Sequence, residues 1–427
     1  MNSILPHIKS LVKHELITGS FYIFVGGLIA SFIAFLFNLF MARNLSYSDY
    51  GILASLVSLF TLAIIPSQSL ASTIVRFATN FFAKEEFGRA AVFYKKMSIF
   101  WFILSLFIFG GVAIFSSQIS SFLRIENNLY VVISGISISL AYMSMVNISF
   151  LQSLLKFKYL STLYIVGSLV KITLGVVFIT LGYAVGGALW AVAAMSVVGY
   201  IIGFYPLKFL FFESNVKKLS IDWKEIIRYA LPSIVIVLSV TSLVTTDLIL
   251  VKHFFSPTDA GLYGGISLIG KVIFYFTAPI PAVMFPLIVK KHTKGEDFRG
   301  LFHLSLVLVT LPSVAITLFY FLFPQFSVKF FLGGGDYLKI ASLIGLFAIL
   351  ISLYSFLNVV VNFFLSIKKT KIVIPCLFMS VLQIVLISLF HESFQQIIYI
   401  SISACTLLLA TLLLYYIKQY GLHYASK

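Results

Sequence analysis

Apolar residues in this chain run in blocks of roughly 20, the length at which an α-helix crosses a ~30 Å hydrocarbon core. Short polar and basic stretches separate them. Twelve blocks can be marked, at 20–42, 50–75, 97–116, 129–152, 160–181, 184–207, 229–251, 259–289, 300–323, 340–366, 372–390 and 396–417. Barrel strands would be shorter and would alternate apolar with polar residues. Runs this long and unbroken predict helices, which satisfy every backbone group internally where no water is present. The expected fold is an all-α polytopic membrane protein of about twelve transmembrane helices.

Composition agrees. Of 427 residues, 60% are hydrophobic and 10% charged, with a mean hydropathy of +1.06. A soluble domain carries about 25% charged residues, so this chain could not stay dissolved in water. The 45 Phe and 22 Tyr suit lipid-facing surface and interfacial belts. Residues 1–19 are polar and basic, and the block that follows is too long for a signal peptide, so no cleavable signal is expected. Cys376 and Cys405 lie inside apolar blocks and read as small buried residues, with no disulfide framework and no metal site.

A net charge of +16 would suggest nucleic acid in a soluble protein. Here the basic residues sit in short loops, so no nucleic acid partner is expected. Of the 30 Lys and Arg, 23 fall on the side of the N-terminus, including Lys84, Lys95, Lys96, Lys217, Lys291 and Lys368. The opposite loops hold only Arg43, Arg124, Lys252, Lys329 and Lys339. This positive-inside asymmetry places both termini in the cytoplasm. No loop is long enough to hold a soluble domain.

Sliding the chain on itself by 210 residues sets Ser46-Tyr47-Ser48-Asp49-Tyr50-Gly51 on Ser256-Pro257-Thr258-Asp259-Ala260-Gly261. The same offset sets Lys84, Glu86 and Arg89 on Lys294, Glu296 and Arg299, and Lys158 on Lys368. The chain thus reads as a six-helix lobe at 1–207, a cytoplasmic linker at 208–228 and a second lobe at 229–427. Six is even, so the lobes share an orientation and a pseudo-two-fold axis along the membrane normal. Transporter sites commonly lie between such repeats near the midplane.

Candidate chemistry is sparse. None of the seven histidines has a second ligand at helical spacing. No phosphate-binding glycine loop or nucleophile elbow is present. The run Gly333-Gly334-Gly335 reads as a flexible external turn. Charges inside spans say more, because each costs ~2.5–3.5 kcal/mol or more to insert. Lys171 lies near the middle of the fifth span, Lys271 well inside the eighth, and Asp247 near the external end of the seventh. They read either as structural ion-pair members or as the lining of a cationic central cavity.

Asn38, Gln68 and Asn147 are uncharged polar candidates within spans, as are Gln152, Asn358 and Asn362. Interhelical hydrogen bonding is their alternative reading. Pro66 interrupts the second span, and Pro279, Pro281 and Pro286 the eighth. Kinked helices at comparable places in both halves suit a rocking transporter.

Two stretches carry a family resemblance. The first reads Phe40-Met41-Ala42-Arg43-Asn44-Leu45-Ser46, then Asp49-Tyr50-Gly51, then Ile74-Val75-Arg76-Phe77. The second reads Thr246-Asp247, then Pro257-Thr258-Asp259-Ala260-Gly261-Leu262-Tyr263. In these, and in length, helix count and repeat, the chain resembles the polysaccharide-transport branch of the multidrug/oligosaccharidyl-lipid/polysaccharide flippase superfamily. Relatives often carry an Arg directly after the span-seven Asp, where this chain has Leu248.

The resemblance implies movement of an undecaprenyl-pyrophosphate-linked oligosaccharide from the cytoplasmic to the outer leaflet of a bacterial inner membrane. The candidate substrate contacts are Lys171, Lys271, Asp247, Arg76, Arg43, Asn38, Gln68 and Asn147. No catalysis, cofactor or metal is implied, and coupling to a proton or sodium gradient stays open. Membrane lipids are partners, with a glycan polymerase and glycosyltransferases of the same pathway as candidates.

A cation-coupled multidrug exporter shares the topology but would prefer acidic cavity residues. A membrane glycan polymerase or acyltransferase would need an acid, base or His cluster near one face, and none is visible. A channel would need a pore-lining repeat.

Overall fold

The computed structural model describes residues 4–212 and 223–421. Residues 213–222 of the expected linker at 208–228, with Lys217 and Lys218, lie outside the described residues, as does Lys427. Among the described residues, eleven helices are long and apolar enough to cross a membrane, and a helix pair bent by 52° makes twelve when it is taken as one span. They match the twelve expected blocks one for one. Several are longer, such as Tyr47–Phe82 and Pro257–His292, because the basic loop ends are helical as well.

The chain divides into two compact units. The first comprises residues 1–40, 66–121 and 125–230, and the second 41–65, 122–124 and 231–427. Residues 41–65 and 122–124 thus belong with the second unit, although they precede the linker in sequence.

The first unit draws on α1 (Ile4–Asn44), α2 (Tyr47–Ala83), α3 (Phe87–Ile114), α4 (Ser116–Phe122), α5 (Leu129–Ser153), α6 (Phe157–Thr180), α7 (Ala184–Phe204), α8 (Lys208–Phe212) and the start of α9 (Trp223–Ser242). α5 and α7 approach closely because α7 offers glycine. A Cβ added to Gly203 would stand 3.0 Å from the Asn147 Cβ. Small residues do this in membranes, where packing rather than water exclusion holds helices together. The serines of α5 donate to carbonyls of their own helix, as Ser137 does to Ile133 and Ser149 to Met145, so their hydroxyls are not orphaned in apolar surroundings. Trp101, Phe93, Tyr94 and Phe150 fill the core.

The second unit contains the remainder of α9, then α10 (Thr246–Phe254), α11 (Pro257–Gly270), α12 (Val272–Thr277), α13 (Pro279–Lys294), α14 (Arg299–Leu322), α15 (Pro324–Leu332), α16 (Ile344–Ser366), α17 (Val373–Leu389) and α18 (Phe394–Tyr416). α16 is its central helix, with Phe347, Val359, Val360, Phe363 and Phe364 fully buried. Leu311 and Ile374 are 77% and 72% exposed, as lipid-facing residues would be.

The prolines act unequally. α2 passes through Pro66 without a break. The eighth span is divided at Lys271 and again at Ala278, directly before Pro279. The sharpest break lies in the seventh span at Leu243–Thr245, where there is no proline.

Candidate functional site

The two repeat junctions fold alike. Ser46 Oγ accepts from Asp49 N (3.1 Å) and donates to Asp49 Oδ2 (2.8 Å). Ser256 does the same with Asp259, at 3.1 and 2.7 Å. Each serine caps the helix that follows by accepting one of its orphan N–H groups. Within the second unit these repeat equivalents also touch. A Cβ on Gly51 would sit 2.7 Å from the Gly261 nitrogen, one on Gly264 would sit 3.2 Å from the Ala54 Cβ, and one on Gly261 would collide with the Tyr47 carbonyl. Gly51 and Gly261, like Ala54 and Gly264, are related by the 210-residue offset. Only residues this small let the start of α2 cross α11 so closely.

Around this crossing the chain is tied down by groups that sequence spacing does not reveal. Arg43 donates Nε to the Phe331 carbonyl (2.7 Å) and Nη2 to the Phe330 carbonyl, capping the C-terminus of α15. The Asp336 N–H donates to the Tyr47 hydroxyl (3.0 Å), and Tyr337 donates to the Ala42 carbonyl (3.2 Å). Arg43, Ser46, Tyr47, Lys329 and Gly333–Gly335 line a cleft of about 720 Å³. Nearby chain segments are pinned likewise. The His253 ring stacks on Phe122 with Nδ1 2.6 Å from its carbonyl, and buried Lys252 reaches the Arg124 carbonyl at 3.5 Å.

The break in the seventh span makes a second polar centre of the same unit. Gln383 of α17 donates to the freed Leu243 carbonyl (2.9 Å) and to Ser401 Oγ (2.7 Å). Ser242 and Thr246 pair across the break at 2.7 Å. Asp247 begins α10, fully buried, where the helix N-terminus favours negative charge. Tyr263 donates to its Oδ2 at 2.7 Å. Asp247 Oδ1 and Gln383 Oε1 are both buried without a hydrogen-bond donor. Lys271, half-buried at the turn between α11 and α12, acts on Asp247 electrostatically, but no ion pair within 4.0 Å joins them among the described residues. Two acceptor oxygens short of donors are suited to a cation or a proton.

The remaining candidates lie in the first unit. Lys171 stands 4.2 Å from the centre of the fully buried Phe37 ring, a cation–π contact in the middle of α6. Asn38 donates to Ala34 of its own helix (2.8 Å). Asn147 is fully buried, accepts from Tyr94 (2.7 Å) and donates to the Tyr200 carbonyl (3.1 Å), which makes it a brace between α3, α5 and α7. Gln68 and Arg76 are exposed on α2. Within the second unit, Asp247 and Lys271 share a centre and Arg43 lies at the junction; within the first, Asn147 bridges three helices.

The model of the polysaccharide biosynthesis protein family matches residues 16–292, more than half of the chain. The chain belongs to that family. An uncharacterized membrane protein of Methanocaldococcus jannaschii is 28% identical over 290 residues, which is 64% of this chain and 67% of that protein. Among solved structures, a multidrug resistance MATE family transporter of the MOP superfamily in an inward-facing conformation has a TM-score of 0.70 at 14% identity, covering 93% of this chain and 96% of that one. The lipid II flippase MurJ in an inward closed conformation has a TM-score of 0.66 at 14% identity, covering 90% and 86%. At such identities the likeness is one of fold. The chain is a multi-pass membrane protein with no strand among its described residues, and it shares the fold of those transporters.

Proposed function

We propose that the chain is a flippase that moves a polyprenyl-diphosphate-linked oligosaccharide from the cytoplasmic to the outer leaflet by alternating access. The observation that carries this reading is a lysine within the apolar spans of each unit, Lys171 and Lys271, with no carboxylate at ion-pair distance among the described residues. A cation held so deep is costly and calls for an anionic partner. A diphosphate supplies that charge, while the lipid chain stays in the bilayer and no bond is made or broken. The experiment is surface-glycan export in a strain depending on this chain. Lys171→Glu and Lys271→Glu should each abolish export at normal protein level. Normal export by both variants would sink the reading.

Asp247 fits the coupling step. Its donorless Oδ1 and the donorless Oε1 of Gln383 suit a proton or a sodium ion taken up at the α9–α10 break. This centre is also what favours the second reading, a cation-coupled multidrug exporter. Drug efflux that depends on Asp247, with glycan export untouched by its loss, would support that alternative.

A further inference from the structure

The first unit carries an apolar groove that the candidate residues do not use. Ile99 and Phe102 of α3 line it from one side, with Lys95 on the same helix face one turn before Ile99. Val146 of α5, Tyr200 of α7 and Phe211 of α8 close the other. Its volume is about 330 Å³. Tyr94 and Asn147, each next in sequence to a lining residue, form a buried brace with the carbonyl of Tyr200, which itself lines the groove. The mouth is basic. Lys95 and Lys96 lie near the start of α3, against which α8 packs with Lys208 at its own start. Lys156, at the start of α6, reaches the Pro206 carbonyl at 3.3 Å.

A groove with a cation, Lys95, at one end and hydrocarbon-compatible walls along the rest matches a lipid phosphate joined to a chain. Its volume is at the low end of the ~300–1,000 Å³ of small-molecule sites. That is room for a stretch of one chain, not for the paired acyl chains of a phospholipid. We propose that this groove holds the phosphate-proximal isoprene units of a polyprenyl phosphate or diphosphate lipid, with Lys95 at the phosphate. This rests on the flippase reading and locates the lipid half of that substrate. Lys95 then draws the phosphate to the basic end of the unit, and Ile99, Phe102 and Phe211 hold the chain beside it.

The test uses the full-length protein in phosphatidylcholine nanodiscs. The probe is undecaprenyl phosphate with a photoactivatable diazirine near its phosphate. Cross-linked peptides should come from residues 95–102 and 143–146. Labelling should fall on adding undecaprenyl phosphate but not on adding the same amount of phosphatidylglycerol. Ile99→Trp, which fills the groove, should lose about tenfold in labelling. Ile103→Trp, on the 59%-exposed face outside the groove, should keep it and controls for folding. Equal competition by phosphatidylglycerol would overturn the proposal, as would Ile99→Trp labelling like the wild type. Failure of the flippase reading looks different. The wild type would then label in the groove yet support no glycan export.

Discussion

At the scale of single residues, two of the polar candidates separate cleanly. Lys171 has an aromatic ring and, among the described residues, no carboxylate at ion-pair distance, so on the flippase reading its charge would meet a substrate anion. Asn147 has both amide ends bonded inside the unit. Reversing Lys171 should therefore reduce transport without reducing stability. Two unit charges about 4 Å apart interact by ~4 kcal/mol at an effective dielectric of 20, so Lys171→Glu should cut glycan export by at least about tenfold. Protein abundance and Tm in detergent should stay near wild type, and Lys171→Ala should fall between the two. Asn147→Leu should do the reverse. It strands the Tyr94 hydroxyl and the Tyr200 carbonyl, costing about 1–3 kcal/mol. Thermal unfolding should shift down by several degrees while export per folded molecule is kept. A Lys171→Glu protein that unfolds early but exports normally per molecule would reverse both assignments.

At the scale of elements, the break at Leu243–Thr245 is the feature that departs from expectation. Blocks of apolar residues report their length, so all twelve spans are legible in the sequence. A helix break without proline or glycine is not, because what permits it is a distant donor. Gln383 lies 140 residues away and satisfies the carbonyl that the break exposes. The same holds for Arg43, whose acceptors lie 287 and 288 residues on. The junction was legible by contrast, since Ser46-Asp49 and Ser256-Asp259 cap their helices locally and in the same way. Gln383→Leu should cost about 1 kcal/mol, the usual worth of an interhelical hydrogen bond in a membrane. It should also loosen the bend between α9 and α10. Hydrogen exchange at residues 243–247 would show this as faster exchange confined to that segment. Unchanged exchange there would mean that the break holds itself without Gln383.

At the scale of the whole molecule, the charge asymmetry predicts that Lys84 is cytoplasmic and that Asn127 and Asp336 are outside. Cysteines put at these positions, in a chain freed of Cys376 and Cys405, should react accordingly. Those at 127 and 336 should label with a membrane-impermeant thiol reagent in intact cells, and that at 84 only after lysis. Labelling at 84 from outside would invert the topology and with it the direction of transport.

Orientation also gives the crossing of α2 and α11 its meaning. On the side that the charge asymmetry assigns to the exterior, the start of α2 and the start of α11 meet through Gly51 and Gly261, with Ala54 against Gly264. If transport alternates access, this contact must part when the outer side opens, and the hydrogen bonds of Arg43, Tyr47 and Tyr337 around it must yield with it. Ala54→Cys with Gly264→Cys tests that directly. The added Cβ on position 264 lies 3.2 Å from the Ala54 Cβ, near the ~3.5–4.5 Å of real disulfides, so oxidation should close the bond. The oxidised protein should stop exporting glycan, and reduction should restore it to the level of the unoxidised double variant. Gly261→Ala acts in the opposite sense. Its methyl group is driven against the Tyr47 carbonyl, so the crossing cannot close, and cysteine pairing between 54 and 264 should drop in that background. A locked crossing that still exports at the normal rate would mean that the helices stay together throughout. The headgroup would then have to slide along a fixed groove, and the repeat symmetry of the junction would serve assembly rather than motion.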